Sequence, residues 1–188
     1  MAAATGPVGA TVGQIAKLLG CGAVGIAGGP DNCGYAVQKP GFDACLDHKS
    51  ADFADRLNAA VPKGIEVYFE NVGGAVLAAA LRVINKGARI PLCGMISEYN
   101  ATASAPGPSL RSLLVNRALI QGFIVSDHFE RFPAFLKDCS AWLREGRLRY
   151  REDIVDGLDQ APSALIGLFE GRNFGKLLVR VSPAPARE

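Results

Sequence analysis

The sequence predicts an α/β fold: a parallel sheet covered by helices on both faces. Three observations carry it. Short apolar strand patterns alternate with helical ones as far as Val125. Most of those strands run out into polar or glycine-rich turns, the edge at which open parallel sheets bind ligands. Near the start, Ala3-Ala4-Thr5-Gly6-Pro7-Val8-Gly9 reads A-x-x-G-x-x-G and leads straight into a helical pattern. Such a turn brings backbone N–H groups, and the positive end of the helix behind them, up to a phosphate.

The elements follow in order. Val12, Ile15, Leu18 and Leu19 recur at helical spacing, with Gly20 as terminator. Residues 23–29 form an apolar strand ending in glycines, and Pro40 ends the helix behind it. Residues 45–48 are a second strand and 51–60 a helix. Residues 65–74 hold a strand rich in β-branched and aromatic residues that ends at Asn71. Helix 75–84 and strand 88–94 come next, then a Pro/Gly/Ser loop over 102–109, helix 110–116 and strand 119–125. Beyond these, Phe132, Phe135, Leu136, Cys139, Trp142 and Leu143 make one helical face closed by Gly146. Asp159 is expected to cap a helix whose face is Leu165, Leu168 and Phe169. Residues 176–181 are a last strand, and 182–188 a frayed tail.

Composition narrows the function. With 49% hydrophobic and 20% charged residues the chain can bury a core rather than remain disordered. A net charge of +2 without a dense basic block argues against nucleic acid or a membrane surface as partner. The five cysteines are odd in number and form no C-x-x-C, and there are only two histidines, which argues against a zinc cluster and for reduced thiols in the cytoplasm. The first lysine is Lys17, so no signal peptide is expected, and no apolar run approaches the ~20 residues of a membrane helix.

The end of strand 23–29 speaks to cofactor choice. An NAD-type site places an acid there to bind the ribose hydroxyl. Here the turn is Gly28-Gly29-Pro30, with Asp31 only after it and Lys49 nearby. This favours the 2′-phosphate of NADPH; the alternative is that Asp31 returns to the ribose or caps a helix.

The stretches AATGPVGATVGQIAKLLGC, VGIAGGPDNC, GFDACLDHKSADF, VYFENVGG, ARIPLCGMISEYN, GFIVSDH and GRNFGKLLVRV resemble the zinc-independent medium-chain dehydrogenase/reductases. Among these, the likeness is greatest to the bacterial curcumin, leukotriene/prostaglandin and plant 2-alkenal reductases. It runs from Ala3 to about Val181. The resemblance implies a Rossmann-type doubly wound sheet of order 3-2-1-4-5-6. It also implies NADPH-dependent reduction of a carbon–carbon double bond conjugated to a carbonyl, with a small enone or enal as substrate. The hydride would pass to the β-carbon, with protonation at the α-carbon. A quinone reductase on the same scaffold, or a non-catalytic truncated nucleotide-binding module, is the alternative.

The same resemblance implies the site residues. The diphosphate turn falls on Gly6, Pro7, Val8 and Gly9, and a ribose and nicotinamide contact on Asn71. The stretch over the nicotinamide falls on Cys93, Gly94, Met95, Ile96, Ser97, Glu98 and Tyr99. A further backbone contact lies on Phe123, Ile124 and Val125, and a late polar contact on Asn173. Core packing is expected for the side chains of Cys93 and Phe123; turn capping is the alternative for Asn71 and Asn173. Two positions beside the 2′-phosphate depart from the family, Asn32 replacing a lysine and His48 a tyrosine. Val115 stands where the plant branch has a tyrosine. No proton donor is assigned; Tyr99 is the nearest candidate and is read as a cofactor contact.

Family members carry a GroES-like substrate domain and a first strand ahead of this sequence. The expectation is therefore a cofactor domain over 1–149, shorn of most of its first strand, and a segment 150–188 returning to the substrate domain. The parent is expected to be a homodimer. The chain alone is expected to be marginally stable and inactive.

Overall fold

A computed structural model describes residues 1–103 and 106–183; part of the expected 102–109 loop and most of the expected tail lie outside them. In chain order the elements are α1 (Pro7–Leu18), β1 (Val24–Ala27), α2 (Pro30–Gln38), β2 (Ala44–Asp47), α3 (Phe53–Ala60), β3 (Ile65–Val67), α4 (Gly74–Leu81), β4 (Ile84–Leu92), α5 (Arg111–Asn116), β5 (Leu119–Gly122), α6 (Phe132–Arg144), β6 (Glu152–Asp156), α7 (Ala161–Phe169) and β7 (Lys176–Arg180).

All the strand pairs are parallel: β1 with β2, β3 with β4, β4 with β5, and β6 with β7. Residues 1–4 join the first two groups. The Met1 amine donates to Val24 O at 3.0 Å, and Met1 O accepts from Ile26 N at 2.9 Å. Bonds to either side of Gly25 are the parallel pattern. On the other flank, Ala2 N donates to Phe69 O at 3.2 Å. The spatial order is thus β2-β1-(1–4)-β3-β4-β5, with residues 1–4 in the central place. Ala2 and Ala4 are fully buried there.

Two apolar cores result, as a sheet between two helical layers requires. The larger holds Ile26, Leu46, Leu57, Leu77, Leu81 and Ile90, joining α3 and α4 to the sheet. The smaller holds Ala4, Ala23, Ala36 and Phe42, with Phe42 seated against α1 at Gly13.

Several elements differ from expectation. Helix α4 stops at Leu81, and β4 starts at Ile84 because its register against β3 shifts between Ile65 and Val67, letting Lys86-Gly87 bulge out. Regular β3 ends at Val67, although Tyr68 N to Arg89 O (3.0 Å) and Glu70 N to Pro91 O (2.9 Å) prolong its pairing. Strand β5 ends at Gly122, and Val125 opens a run of 3-10 turns to Arg131. The apolar face of α6 is largely solvent-exposed: only Cys139 is buried, while Phe132, Phe135, Leu136 and Leu143 are exposed. Asp159 does not cap α7; it lies in a 3-10 turn, and Gln160 takes the capping position without a side-chain bond. Strand β6 was not expected.

β6, α7 and β7 form a βαβ unit with its own two-stranded sheet. Gln14, buried on α1, fastens it to the larger sheet. Its Nε2 donates to Arg149 O at 2.8 Å, and its Oε1 accepts from Arg149 N at 2.8 Å. Arg151 adds to the join, its guanidinium over the rings of Phe174 (4.1 Å) and Tyr35 (5.7 Å). Among the described residues no helix is long and apolar enough to cross a membrane.

Candidate functional site: the carboxyl edge of the sheet

Parallel strands deliver their turns to one edge, and the sequence-predicted residues gather there in three groups. The first is the turn into α1. Gly6 is the N-cap and Pro7 the first helical residue, with no side-chain cap, so the early N–H groups stay available. Gly9 is required by packing: a β-carbon there would lie 2.0 Å from Ala3 O. Its want of a side chain thus seats α1 on residues 1–4. Val8 is exposed. A cleft beside this turn is lined by Thr5, Gly6, Pro7, Tyr35, Arg151 and Lys176.

The second group surrounds Gly28. A β-carbon there would lie 3.2 Å from both His48 Nε2 and Lys49 Cε. Asn32, in the first turn of α2, donates from Nδ2 to Gly28 O at 2.7 Å, while its buried Oδ1 has no partner. Partial burial lowers the His48 imidazole below its ordinary value, against the pull of Asp47. Asp31 sits exposed in the first turn of α2. The carboxylate that serves this region is Asp47, which accepts from Gly29 N and Lys49 N, each at 2.9 Å. Those two bonds hold it below the usual carboxylate range. Sequence reasoning missed Asp47; its signal was an acid ending a strand just ahead of a turn.

The third group joins the turns after β3 and β4. Ile96 N donates to Asn71 O at 3.1 Å, and Ser97 donates to Val72 O from N at 3.0 Å and from Oγ at 2.6 Å. A β-carbon on Gly94 would lie 3.2 Å from Tyr99 Oη and 3.9 Å from Asn71 Oδ1, so these three meet. Glu98 Oε1 and Met95 Cβ close on Gly73, whose φ of +81° suits glycine. The Nδ2 of Asn71 is buried without a partner. Burial raises the Cys93 thiol. Beneath the turn lies Glu70, fully buried and also missed from sequence. Its Oε1 accepts from Val72 N and from Gly73 N at 3.0 Å.

The remaining residues lie further out. Phe123 packs edge-on to Phe69 with ring centroids 6.0 Å apart, while Ile124 and Val125 are exposed. Asn173 donates to Gly175 O at 3.0 Å, a local turn bond, and lines a cavity with Asp153, Arg172 and Leu177. Gly175 reaches the cleft at Gly6 and Pro7. Val115 is exposed on α5.

Such an edge, with a helix N-terminus, a glycine turn beside Lys49 and an orphaned amide, can hold a dinucleotide. Known proteins bear on this. The chain is 50% identical to the NADPH-dependent curcumin reductase of Escherichia coli (strain K12), over 97% of this chain and 54% of that protein. It is 42% identical to the 2-alkenal reductase (NADP(+)-dependent) of Nicotiana tabacum, over 97% and 53%. The crystal structure of CurA in complex with NADPH from Vibrio vulnificus superposes with a TM-score of 0.93 at 50% identity, over 97% of this chain and 56% of that one. The chain therefore spans about half the length of these relatives. Among the described residues no three His, Cys, Asp or Glu side chains converge closely enough to hold a metal ion. The family profile described as zinc-binding dehydrogenase matches residues 7–141, and with these relatives it shows that the chain belongs to the zinc-binding dehydrogenase family, in its Rossmann-type α/β fold.

Proposed function

We propose that this chain is the NADPH-binding half of an enone or enal reductase. The observation that carries the reading is the pair of groups at one sheet edge: the acid-free Gly28 turn flanked by His48 and Lys49, and the buried, unpartnered Nδ2 of Asn71. The names of the curcumin and 2-alkenal relatives support the substrate class.

Bound NADPH would supply the hydride. The chain's own part is to hold and orient it, which supplies much of the rate in such chemistry. The open N–H groups after Gly6 would take the diphosphate. Lys49, with His48 and Asn32, would face the 2′-phosphate. Asn71 Nδ2 would donate to the ribose–nicotinamide half, and Gly94 and Tyr99 would wall it. Cys93 to Glu98, the backbone of Phe123 to Val125, and Asn173 would complete the contacts. Residues 1–149 would form the cofactor domain, and 150–188 would return to a substrate domain. The reductase relatives are nearly twice as long, so cofactor binding without enone turnover is expected of these 188 residues by themselves.

Calorimetric titration tests this. NADPH is expected to bind at least about tenfold more tightly than NADH, one charge-assisted phosphate contact being worth that much. Equal or tighter binding of NADH overturns the reading.

A further inference from the structure

We propose that Glu70 is a positioning residue for the nicotinamide half of the cofactor, holding in register the two turns that receive it. The inference rests on the NADPH reading above.

Glu70 stands where β3 gives way to its turn, and its main chain and side chain act on different loops. Its carbonyl accepts from Cys93 N at 2.9 Å and Gly94 N at 3.2 Å, fixing the start of the turn after β4. Its carboxylate Oε1 accepts from Val72 N and Gly73 N, fixing the turn after β3. That second turn then carries the first, because Asn71 O and Val72 O receive Ile96 and Ser97. Asn71, Gly94 and Tyr99 meet only if both turns keep this spacing. One residue, through its carbonyl and its carboxylate, therefore governs the wall and the donor of the nicotinamide pocket without touching the cofactor.

The residue type is costly, which argues for a use. A carboxylate that is fully buried loses its hydration, a cost that its bonds to Val72 N and Gly73 N offset only in part. Tyr68, likewise buried, brings its hydroxyl beside this carboxylate. A neutral side chain would hold an ordinary turn at less cost. A carboxylate binds the two N–H groups more strongly and leaves the turn less freedom.

The variant to compare is Glu70→Gln, which keeps shape and one acceptor oxygen while removing the charge; Glu70→Ala removes the acceptor altogether. Each is titrated in the full chain with NADPH and with 2′-phospho-ADP, which has the adenosine half and diphosphate but neither the nicotinamide nor its ribose. For Glu70→Gln the expected result is NADPH binding weakened about tenfold, the difference between a charged and a neutral hydrogen-bonded anchor. Binding of 2′-phospho-ADP is expected within about twofold of the unsubstituted chain, since its proposed contacts are confined to Gly6–Gly9 and the surroundings of Gly28. Glu70→Ala is expected to deepen the NADPH loss. Because the second ligand reports an intact fold, a general structural defect shows as equal weakening of both. That outcome, or unchanged NADPH binding by Glu70→Gln, overturns the proposal. Failure of the unsubstituted chain to bind either ligand overturns the nucleotide reading itself, and Glu70's part with it.

Discussion

Gly28 has no side chain where an NAD-type site carries its acid, and the space a β-carbon would take is bounded by His48 and Lys49. Gly28→Asp is expected to lower the NADPH-to-NADH affinity ratio at least about tenfold, because the new carboxylate both repels the phosphate and pairs with Lys49. Titration with both cofactors checks it. Asn32→Lys should tighten NADPH a few-fold and leave NADH no better. The charge it adds is partly offset by the lost bond to Gly28 O, worth about 1 kcal/mol; an equal gain for both cofactors would place residue 32 away from the phosphate. His48 gives a pH dependence with a definite sign. Its folded-state value lies below the ordinary 6.5, so on acidification the unfolded chain takes the proton first. Stability is therefore lost as pH falls through about 6.5, and Asp47, also depressed, adds a further loss at lower pH. Melting curves from pH 7.5 to 5 should show the first fall, and His48→Gln should flatten it. Gly28 drew attention by its place at a strand end, and His48 and Asn71 by the family resemblance; the folded chain gathers all three at one edge of the sheet. Asp47 and Glu70 were not legible, because their worth lies in turn N–H groups that only the folded backbone presents.

The junction of α1 with residues 1–4 shows how an element is placed. Gly9→Ala puts a methyl group 2.0 Å from Ala3 O, and backbone cannot yield as a flexible side-chain tip can. A cost of about 1–3 kcal/mol is expected, read as a lowered melting temperature together with weakened NADPH binding as the helix N-terminus shifts. Helices α1 and α3 and strands β1 and β2 were readable from apolar spacing and glycine stops. The limits of β3 and β4 were not, since the bulge at Lys86-Gly87 arises from register against a neighbouring strand. Strand β6 was missed because Glu-Asp-Ile-Val-Asp lacks the apolar run sought in a buried strand; it pairs with β7 alone and keeps its ends and centre exposed. The face of α6 was legible as one apolar stripe, but its exposure was not, for periodicity locates a stripe without saying what covers it.

At the scale of the molecule, apolar surface and open edges set the behaviour of the isolated chain. Leu119 on edge strand β5, Ile124, Val125, Phe129 and Phe132 are all exposed. Such edges and patches favour association. Light scattering is expected to show a mass that rises with concentration; a monodisperse monomer with enone turnover would contradict both this and the half-enzyme reading. The parallel sheet was legible from the alternation of strand and helix patterns, and its order from the family resemblance. The βαβ unit's attachment was not, because Gln14 and Arg149 meet across most of the sequence. That one amide makes two sheets share a fate. If the smaller unit were to melt first, Gln14 would lose both bonds to Arg149, worth about 1 kcal/mol each, and keep only that from Nε2 to Ala10 O. Heat should therefore carry both through a single transition, and Gln14→Ala should part it into two, the C-terminal strands giving way at the lower temperature.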